Sequence, residues 1–263
     1  MARGGVQLDL RRLLTFGGRA PFSVGLVLAA ATLATLAGSI SPAVGRLLLL
    51  EVPDLDTPSW IVLFEGWRLV TWALYQGPMP PGLLTLIFAG LMLVWLGQQL
   101  SYAWSEKRFL WRCLGLTAGT AVITLLLLVP FGVAAGYSGL WPLVNALLVT
   151  WGLIFPTQRL AWFGVLQMSG ATVAKAVTIA TPIWAVVMSP PGLGVLGGLV
   201  AYLPHLIALA LAWAMVAGGP GRLWRRAREW WLRRRLDRQR RKFKVVSGTG
   251  PGPGPGKPPR WMN

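Results

Sequence analysis

The sequence predicts an all-α, polytopic membrane protein with six transmembrane helices, and three observations support this fold class. Of its 263 residues, 54% are hydrophobic and only 13% are charged, whereas soluble domains carry about 25% charged residues. Six apolar windows are each long enough to cross roughly 30 Å of hydrocarbon. The formal net charge of +17 is unevenly spread, because more than half of the basic residues follow the last window. We therefore expect an apolar membrane domain followed by a basic tail.

The predicted spans, in chain order, cover residues 21–41, 82–100, 110–129, 138–154, 162–187 and 201–217. Basic residues flank the first and last spans, and others lie between spans two and three and between spans four and five. With six spans all of these clusters fall on one side, which the positive-inside rule makes cytoplasmic. We therefore expect both termini in the cytoplasm, and an integral protein of a bacterial inner (plasma) membrane. Span one has no convincing small-residue cleavage site, so it is predicted to be retained.

Composition divides the chain into four segments. These are a cytoplasmic N-terminal segment (1–20), the membrane domain (21–218), a basic and aromatic cytoplasmic helix (219–246) and a disordered Pro/Gly tail (247–263). The helix predicts binding to anionic lipid, at roughly 1 kcal/mol per basic residue near the surface. Its position beside the membrane favours lipid over nucleic acid, so no nucleic-acid partner is expected. Cys113 is the only cysteine, which excludes an internal disulfide and a Cys-rich metal site.

The segment between spans one and two, residues 42–79, is rich in apolar and aromatic residues but is interrupted by charge and proline. It predicts a partly interfacial, amphipathic loop whose tryptophans, among them Trp67 and Trp72, lie at headgroup depth. A plain extracytoplasmic linker is the alternative. The acidic residues Glu51 and Glu65 then fall on the outer side.

The candidate chemistry lies in two polar side chains at the ends of apolar segments. Ser138 opens span four within Gly136-Tyr137-Ser138-Gly139, and His205, the only histidine, follows Pro204 at the start of span six. Both are expected near the outer end of their helix. A serine hydroxyl needs a base to become a nucleophile, and burial favours the neutral imidazole that such a base requires. The alternatives are a small packing residue for Ser138 and a structural histidine bonded to a backbone carbonyl for His205.

Small residues surround both positions. Gly136 and Gly139 are expected to let the chain turn and to let spans four and six approach each other. The segment before span six, with Pro191 and four glycines between residues 192 and 198, favours a loop. Four small residues at helical spacing around His205 suit tight packing against span four; they are Gly197, Ala201, Ala208 and Ala212.

Lys175 is the remaining polar candidate, because it lies near the middle of predicted span five. An ionisable group at that depth is expensive and is a functional candidate by default. No acidic residue is visible in any span to pair with it. We expect it to face a wet interior and bond carbonyls, or to be neutral.

These residues together resemble the rhomboid family of intramembrane serine proteases, over roughly residues 65–218. Residues 65–71 contain a Trp-Arg pair similar to the family's signature in the first outer loop, and residues 88–97 and 104–109 are similar to its second span and the basic turn after it. Gly136, Ser138 and Gly139 match the family's Gly-x-Ser-Gly, and His205 lies among Ala201, Ala208 and Ala212 as the family's histidine does. The resemblance implies a six-helix rhomboid-like bundle and a serine endopeptidase, without cofactor or metal, that cleaves transmembrane substrates near the extracytoplasmic side.

The chain departs from the family where the oxyanion is held. The second-span His-x-x-x-Asn pair falls on Thr85 and Ala89, so the Ser138 amide, Thr85 or an unidentified donor would have to serve. Losing one such donor costs about 10²–10³ in turnover. Further departures are Ser101 at the expected acidic position and Leu206, Ile207 and Ala208 at the expected glycines. An inactive relative that binds membrane clients is therefore the second hypothesis, and a transporter, with no internal repeat, is a distant third.

Overall fold

The computed structural model describes residues 14, 15, 18, 20–53, 65–162, 166–189, 192, 194–216, 218 and 234. The chain divides into two compact units, Met1–Ala217 and Gly218–Asn263. In the second unit only Gly218 and Arg234 are described, so the predicted basic helix and Pro/Gly tail lie outside the described residues apart from Arg234. Most of the predicted N-terminal segment also lies outside them. The first unit carries all of the structure that follows.

Most of the described residues are helical. The helices are α1 (Phe22–Ile40), α2 (Pro42–Leu48), α3 (Arg68–Leu74), α4 (Pro81–Trp104), α5 (Glu106–Leu128), α6 (Trp141–Ile154), α7 (Gly170–Val187), α8 (Gly194–Ala201) and α9 (Leu203–Val216). A 3-10 turn covers Val129–Phe131, and the strands are β1 (Leu50–Val52), β2 (Ala135–Tyr137), β3 (Arg159–Trp162) and β4 (Leu166–Ser169). The strands form two antiparallel pairs, β1 with β2 and β3 with β4. The all-α prediction therefore missed two short sheets.

Within the described residues, four helices are long and apolar enough to cross a membrane: α1, α4, α5 and α7. The pair α8 and α9, bent by 57°, makes a fifth if it is one span. Helix α6 has only 14 residues, which corresponds to about 21 Å at 1.5 Å per residue. The structure is thus compatible with an integral membrane protein of four to five spans, and the predicted count of six is not confirmed.

Helix α6 lies at the centre of the fold. It packs against α9 and α7, and also contacts α4. Ten of its 14 residues are buried, so its surroundings are other helices rather than lipid. A helix in that position does not need the length of a lipid-facing span. Ala89 of α4 and Ala208 and Ala212 of α9 belong to the same core cluster as Leu147 of α6.

Two helices begin later in the chain than the predicted spans. Span four was predicted from residue 138 and span five from residue 162, but α6 begins at Trp141 and α7 at Gly170. Residues 159–162 and 166–169 are instead the paired strands β3 and β4. Ser169 caps α7, because its hydroxyl accepts a hydrogen bond from the Thr172 N–H at 3.3 Å. Hydropathy does not distinguish an apolar strand from the first turns of an apolar helix.

The prediction of a loop before span six was also wrong from residue 194 onward, where α8 begins. Glycines weaken a helix by about 1 kcal/mol each relative to alanine, but Gly198 has a packing role here. A methyl group added at Gly198 would collide with the carbonyl oxygen of Ala185 in α7. Close packing against α7 therefore accounts for a helix where composition favoured a loop.

The segment between α1 and α4 contains regular secondary structure in its described part. It forms α2, β1 and α3, and β1 pairs with β2 so that Leu50 lies opposite Tyr137 and Glu51 opposite Gly136. Trp67 is half-exposed, as expected for an interfacial residue, but Trp72 is buried in a cluster with Leu50 and Tyr137. Trp72 therefore packs against other residues of the protein and does not present its side chain to the surroundings. Residues 54–64 lie outside the described part of the chain.

Arg68 links three parts of the segment between α1 and α4. Its guanidinium forms ion pairs with Glu51 at 2.7 Å and with Glu65 at 2.8 Å. It also donates to the carbonyl oxygen of Leu49 at 3.4 Å. Glu51 belongs to β1, and the pairing of β1 with β2 joins the loop to the segment before Ser138. Arg68 thus ties its own helix to the strand pair that precedes Ser138 in the chain.

Candidate functional site

A cavity of about 770 Å³ lies between the segment that joins α3 to α4 and helices α4, α6, α7, α8 and α9. Its size is within the usual range of about 300–1,000 Å³ for ligand pockets. Seven polar residues line it, namely Gln76, Thr85, Ser138, Asn145, Thr181, Tyr202 and His205, together with apolar side chains such as Val177 and Trp184. Ser138 and His205, which are far apart in the sequence, therefore share a cavity.

Ser138 lies on the short turn that joins β2 to α6, with its side chain exposed to the cavity. The turn requires glycine at position 139, where φ is +116°. The Gly139 N–H donates to the carbonyl oxygen of Trp72 at 2.9 Å, and the Leu140 N–H donates to Gln76 Oε1 at 3.0 Å. Hydrogen bonds to Trp72 and Gln76 therefore fix the backbone that follows the serine.

Gln76 is the residue that anchors this turn, and the sequence analysis missed it. It is 7% exposed, and its Nε2 donates to the carbonyl oxygens of Ala73 and Leu74 at 3.1 and 3.2 Å. Its backbone N–H donates to Thr35 Oγ1 of α1 at 3.2 Å. Its backbone N–H and both polar atoms of its side chain thus have partners, as buried polar groups require. An amide directly after a short amphipathic helix carries no sequence signal that points to this role.

His205 is the third residue of α9, directly after Pro204. A proline fits the first turn because the N–H groups there have no partner within the helix. The half-buried ring lies 5.2 Å, centroid to centroid, from Tyr202, with the ring planes tilted by 36°. His205 Nδ1 lies 3.2 Å from Asn145 Nδ2. This hydrogen bond joins the ring to a side-chain amide rather than to the backbone carbonyl of the alternative hypothesis. His205 therefore connects α9 to α6 inside the cavity.

Asn145 was also missed by the sequence analysis, although a signal was present. It is half-buried and lies within the apolar sequence of α6, about two helical turns after Ser138. Strongly polar side chains inside a membrane segment are rare and usually have a partner or a function. The lone amide could therefore have been identified as a candidate, but its partner could not.

Thr85 and Ala89, the two positions that the sequence resemblance aligns with an oxyanion pair, differ in location. Thr85 lines the cavity, but its hydroxyl donates to the carbonyl oxygen of Pro81 at 3.1 Å. Ala89 is fully buried in the core. The amides of Gly139 and Leu140 already donate to protein acceptors. An oxyanion donor would therefore have to come from the Ser138 amide, from a released Thr85 hydroxyl, or from another group on the cavity wall.

The small residues around Ser138 and His205 have different roles in the structure. Gly136 belongs to β2 and has open space where a side chain would lie, so it does not provide the helix approach expected of it. Gly139 provides the turn, with only Gln76 Oε1 near its added Cβ, at 3.7 Å. Ala201 lines the cavity, and Gly197 is half-buried on α8. Ala208 and Ala212 are buried where α9 packs on α6, in agreement with the expected tight contact.

Tyr137 connects the serine side of the site to the helix that precedes His205. Its hydroxyl donates to the carbonyl oxygen of Val200 in α8 at 2.7 Å. Burial raises the pKa of Tyr137 to about 12, so the hydroxyl remains a donor at neutral pH. The residue before Ser138 is thus tied to α8.

Lys175 is exposed in the second turn of α7. Its predicted position near the middle of a span was wrong, because the first part of that apolar run forms strands and the helix begins only at Gly170. Within the described residues, no group of three or more histidine, cysteine, aspartate or glutamate side chains could hold a metal ion. The polar groups that line the cavity are hydroxyls, side-chain amides and one imidazole.

No known protein family has a sequence profile that matches this chain, and no curated protein is significantly similar to it. The fold and the site therefore define its class. In its described residues it is a mostly helical protein with four apolar helices of membrane-spanning length, or five if the bent pair is one span, and it has a cavity lined by a serine, a histidine and an asparagine, among other residues.

Proposed function

We propose that the protein is an intramembrane serine endopeptidase that uses Ser138 and His205 as a dyad to cleave transmembrane substrates near the extracytoplasmic side. The observation that carries this proposal is the shared cavity, which both the only histidine of the chain and an exposed serine line. The resemblance to rhomboid proteases supports it.

In this mechanism Ser138 Oγ attacks the scissile carbonyl carbon while His205 accepts the hydroxyl proton. The tetrahedral intermediate collapses when the C–N bond breaks, and His205 returns the proton to the leaving amine. Water then attacks the acyl-serine, again with His205 as base, and releases the new carboxyl terminus and free Ser138. Each step balances with substrate, water and one base, so no cofactor is required.

A catalytically inactive protein that binds membrane clients in the same cavity is the second candidate. It is favoured by the state of the oxyanion donors. Thr85 and the Gly139 and Leu140 amides all donate to protein oxygens, and Ala89 offers no polar group. Because a missing donor costs about 2.7–4 kcal/mol of transition-state stabilisation, this arrangement predicts slow turnover or none.

An activity-based fluorophosphonate probe separates the two candidates. Purified protein in detergent and in bilayers should be labelled at Ser138, and Ser138→Ala should abolish the label. Ser39→Ala is a matched control, because that hydroxyl only donates to Thr35 O within its own helix, so labelling should persist. Equal labelling of wild type and Ser138→Ala would exclude Ser138 as the nucleophile. Absence of labelling, with a known active intramembrane serine protease labelled in parallel, would support the client-binding candidate.

We also propose that α6 completes a sixth crossing, so that both termini lie in the cytoplasm and the basic segment 219–246 meets anionic lipid of the inner membrane. A single cysteine at position 54 and another at position 247, each on a Cys113→Ser background, should be labelled from opposite sides. Labelling of both from the same side would mean five crossings. The positive-inside rule supports the proposed orientation.

A further inference from the structure

The contact between Asn145 and His205 constrains the tautomer that can act as a base. Each nitrogen of a neutral imidazole is either a donor or an acceptor, and the partner of one nitrogen determines the state of the other. Asn145 is next to Nδ1, at 3.2 Å, which leaves Nε2 as the nitrogen available to Ser138. A base must have a bare Nε2, so the proton must be on Nδ1.

A protonated Nδ1 requires an acceptor, and the amide of Asn145 can provide one. Its oxygen and nitrogen exchange places by rotation of the amide group, and the two orientations have nearly the same shape. When His205 has accepted the serine proton, both ring nitrogens are donors. An amide N–H facing Nδ1 would then oppose another N–H, whereas the amide oxygen accepts from it. The orientation with Oδ1 toward Nδ1 is therefore the one compatible with both the base and its imidazolium form.

We propose that Asn145 is a positioning residue that accepts a hydrogen bond from His205 Nδ1–H and thereby keeps Nε2 bare for Ser138. The inference rests on the proposed function. A neutral amide can orient a catalytic imidazole as a carboxylate does, although it stabilises the cation less. The part of the molecule described here brings no carboxylate to the cavity wall, and Asn145 takes that position on α6.

The single histidine makes the tautomer directly measurable. Protein labelled with ¹⁵N-histidine has one imidazole, and protonated and bare ring nitrogens give well-separated signals. Over a pH series of the full chain in bilayers, the neutral ring should carry its proton on Nδ1. Asn145→Asp, which can only accept there when ionised, should keep that tautomer. Asn145→Leu, similar in size and unable to bond, should give a mixture of tautomers and lower probe labelling of Ser138 by about 10²-fold.

Thr181→Val is the matched control, because Thr181 lines the same cavity but its hydroxyl donates within α7 to Val177 O at 2.8 Å. It should leave the spectrum unchanged. Four outcomes would overturn the inference. The neutral ring of the wild type could be protonated on Nε2, or the spectrum of Asn145→Leu could be unchanged. Thr181→Val could show the same change as Asn145→Leu, or Asn145→Asp could give the spectrum of Asn145→Leu.

The two readouts also separate this inference from the proposed function. If the tautomer behaves as expected but wild type is never labelled by the probe, the endopeptidase proposal fails and Asn145 still holds the ring. If Ser138 is labelled but the tautomer is wrong, only the role of Asn145 fails. A thermal melt of each variant shows that it is folded, so that a change in spectrum is not attributed to unfolding.

Discussion

The two sides of the cavity hold their candidate residues in different ways. On the serine side, the backbone after Ser138 is hydrogen-bonded to Trp72 at 2.9 Å and to Gln76 at 3.0 Å. On the histidine side, the ring is held through a side-chain amide, Asn145, at 3.2 Å. Hydrogen bonds to the backbone after Ser138 stabilise the fold. The hydrogen bond to Nδ1 of His205 instead determines which ring nitrogen carries the proton. Changes on the serine side should therefore lower stability and labelling together, while Asn145→Leu should lower labelling with little loss of stability.

The largest effect is expected from Gln76→Leu, which keeps the size of the side chain but removes its amide. The Leu140 N–H would then lose its acceptor while buried, at a cost of about 1–3 kcal/mol. The Ala73 and Leu74 carbonyls would lose their donor as well. We expect a lower melting temperature in detergent and weaker fluorophosphonate labelling, because the Ser138 turn is no longer anchored.

Gln167→Leu is the control for that change. Gln167 is an exposed residue of β4 whose Oε1 accepts from Arg159 at 3.4 Å, and surface substitutions of this kind stay within about ±0.5 kcal/mol. If Gln76→Leu melted and labelled like Gln167→Leu, the serine side would not be anchored as described, and the contrast between the two sides would disappear.

A smaller loss of stability is expected from Gly139→Ala, and Gly136→Ala is its matched control. Gly139 has φ of +116°, where an L-residue is strained by roughly 1–2 kcal/mol. Gly136, three residues earlier, lies in a strand with open space around it, so Gly136→Ala should be nearly neutral. Melting temperatures of the two variants measure the difference. Equal values would show that the turn at residue 139 tolerates a side chain and does not fix Ser138.

Much of the helical framework was predictable, and the errors share a cause. The bounds of α1, α4 and α5 follow the apolar runs to within about four residues, because each contains a continuous apolar run of membrane-spanning length. The paired strands β3 and β4 and the glycine-rich α8 were missed, since each depends on contact with another segment and not on its own hydropathy. Strand pairing decides the first, and close contact of Gly198 with α7 decides the second.

The candidate site was predictable in its reactive residues but not in its supporting ones. A sole histidine and a glycine-flanked serine are visible in the sequence, and they line the same cavity in the structure. Asn145 was visible as a lone amide in an apolar helix, but its contact with His205 joins residues of different helices. Gln76 had no local signal at all, because its importance comes from bonds to the Leu140 amide and to carbonyls of its own loop.

By itself the sequence determined that this is a helical chain suited to a membrane, with a basic tail and a small set of polar side chains in apolar segments. These properties are local, because the free energy of placing a residue in hydrocarbon depends mainly on that residue and its neighbours in the chain. Only the tertiary structure decided that α6 is surrounded by protein, that Gln76 anchors the serine turn and that Asn145 contacts the histidine. A buried hydrogen bond needs both partners at the right distance and angle, and that geometry exists only when distant segments have packed together.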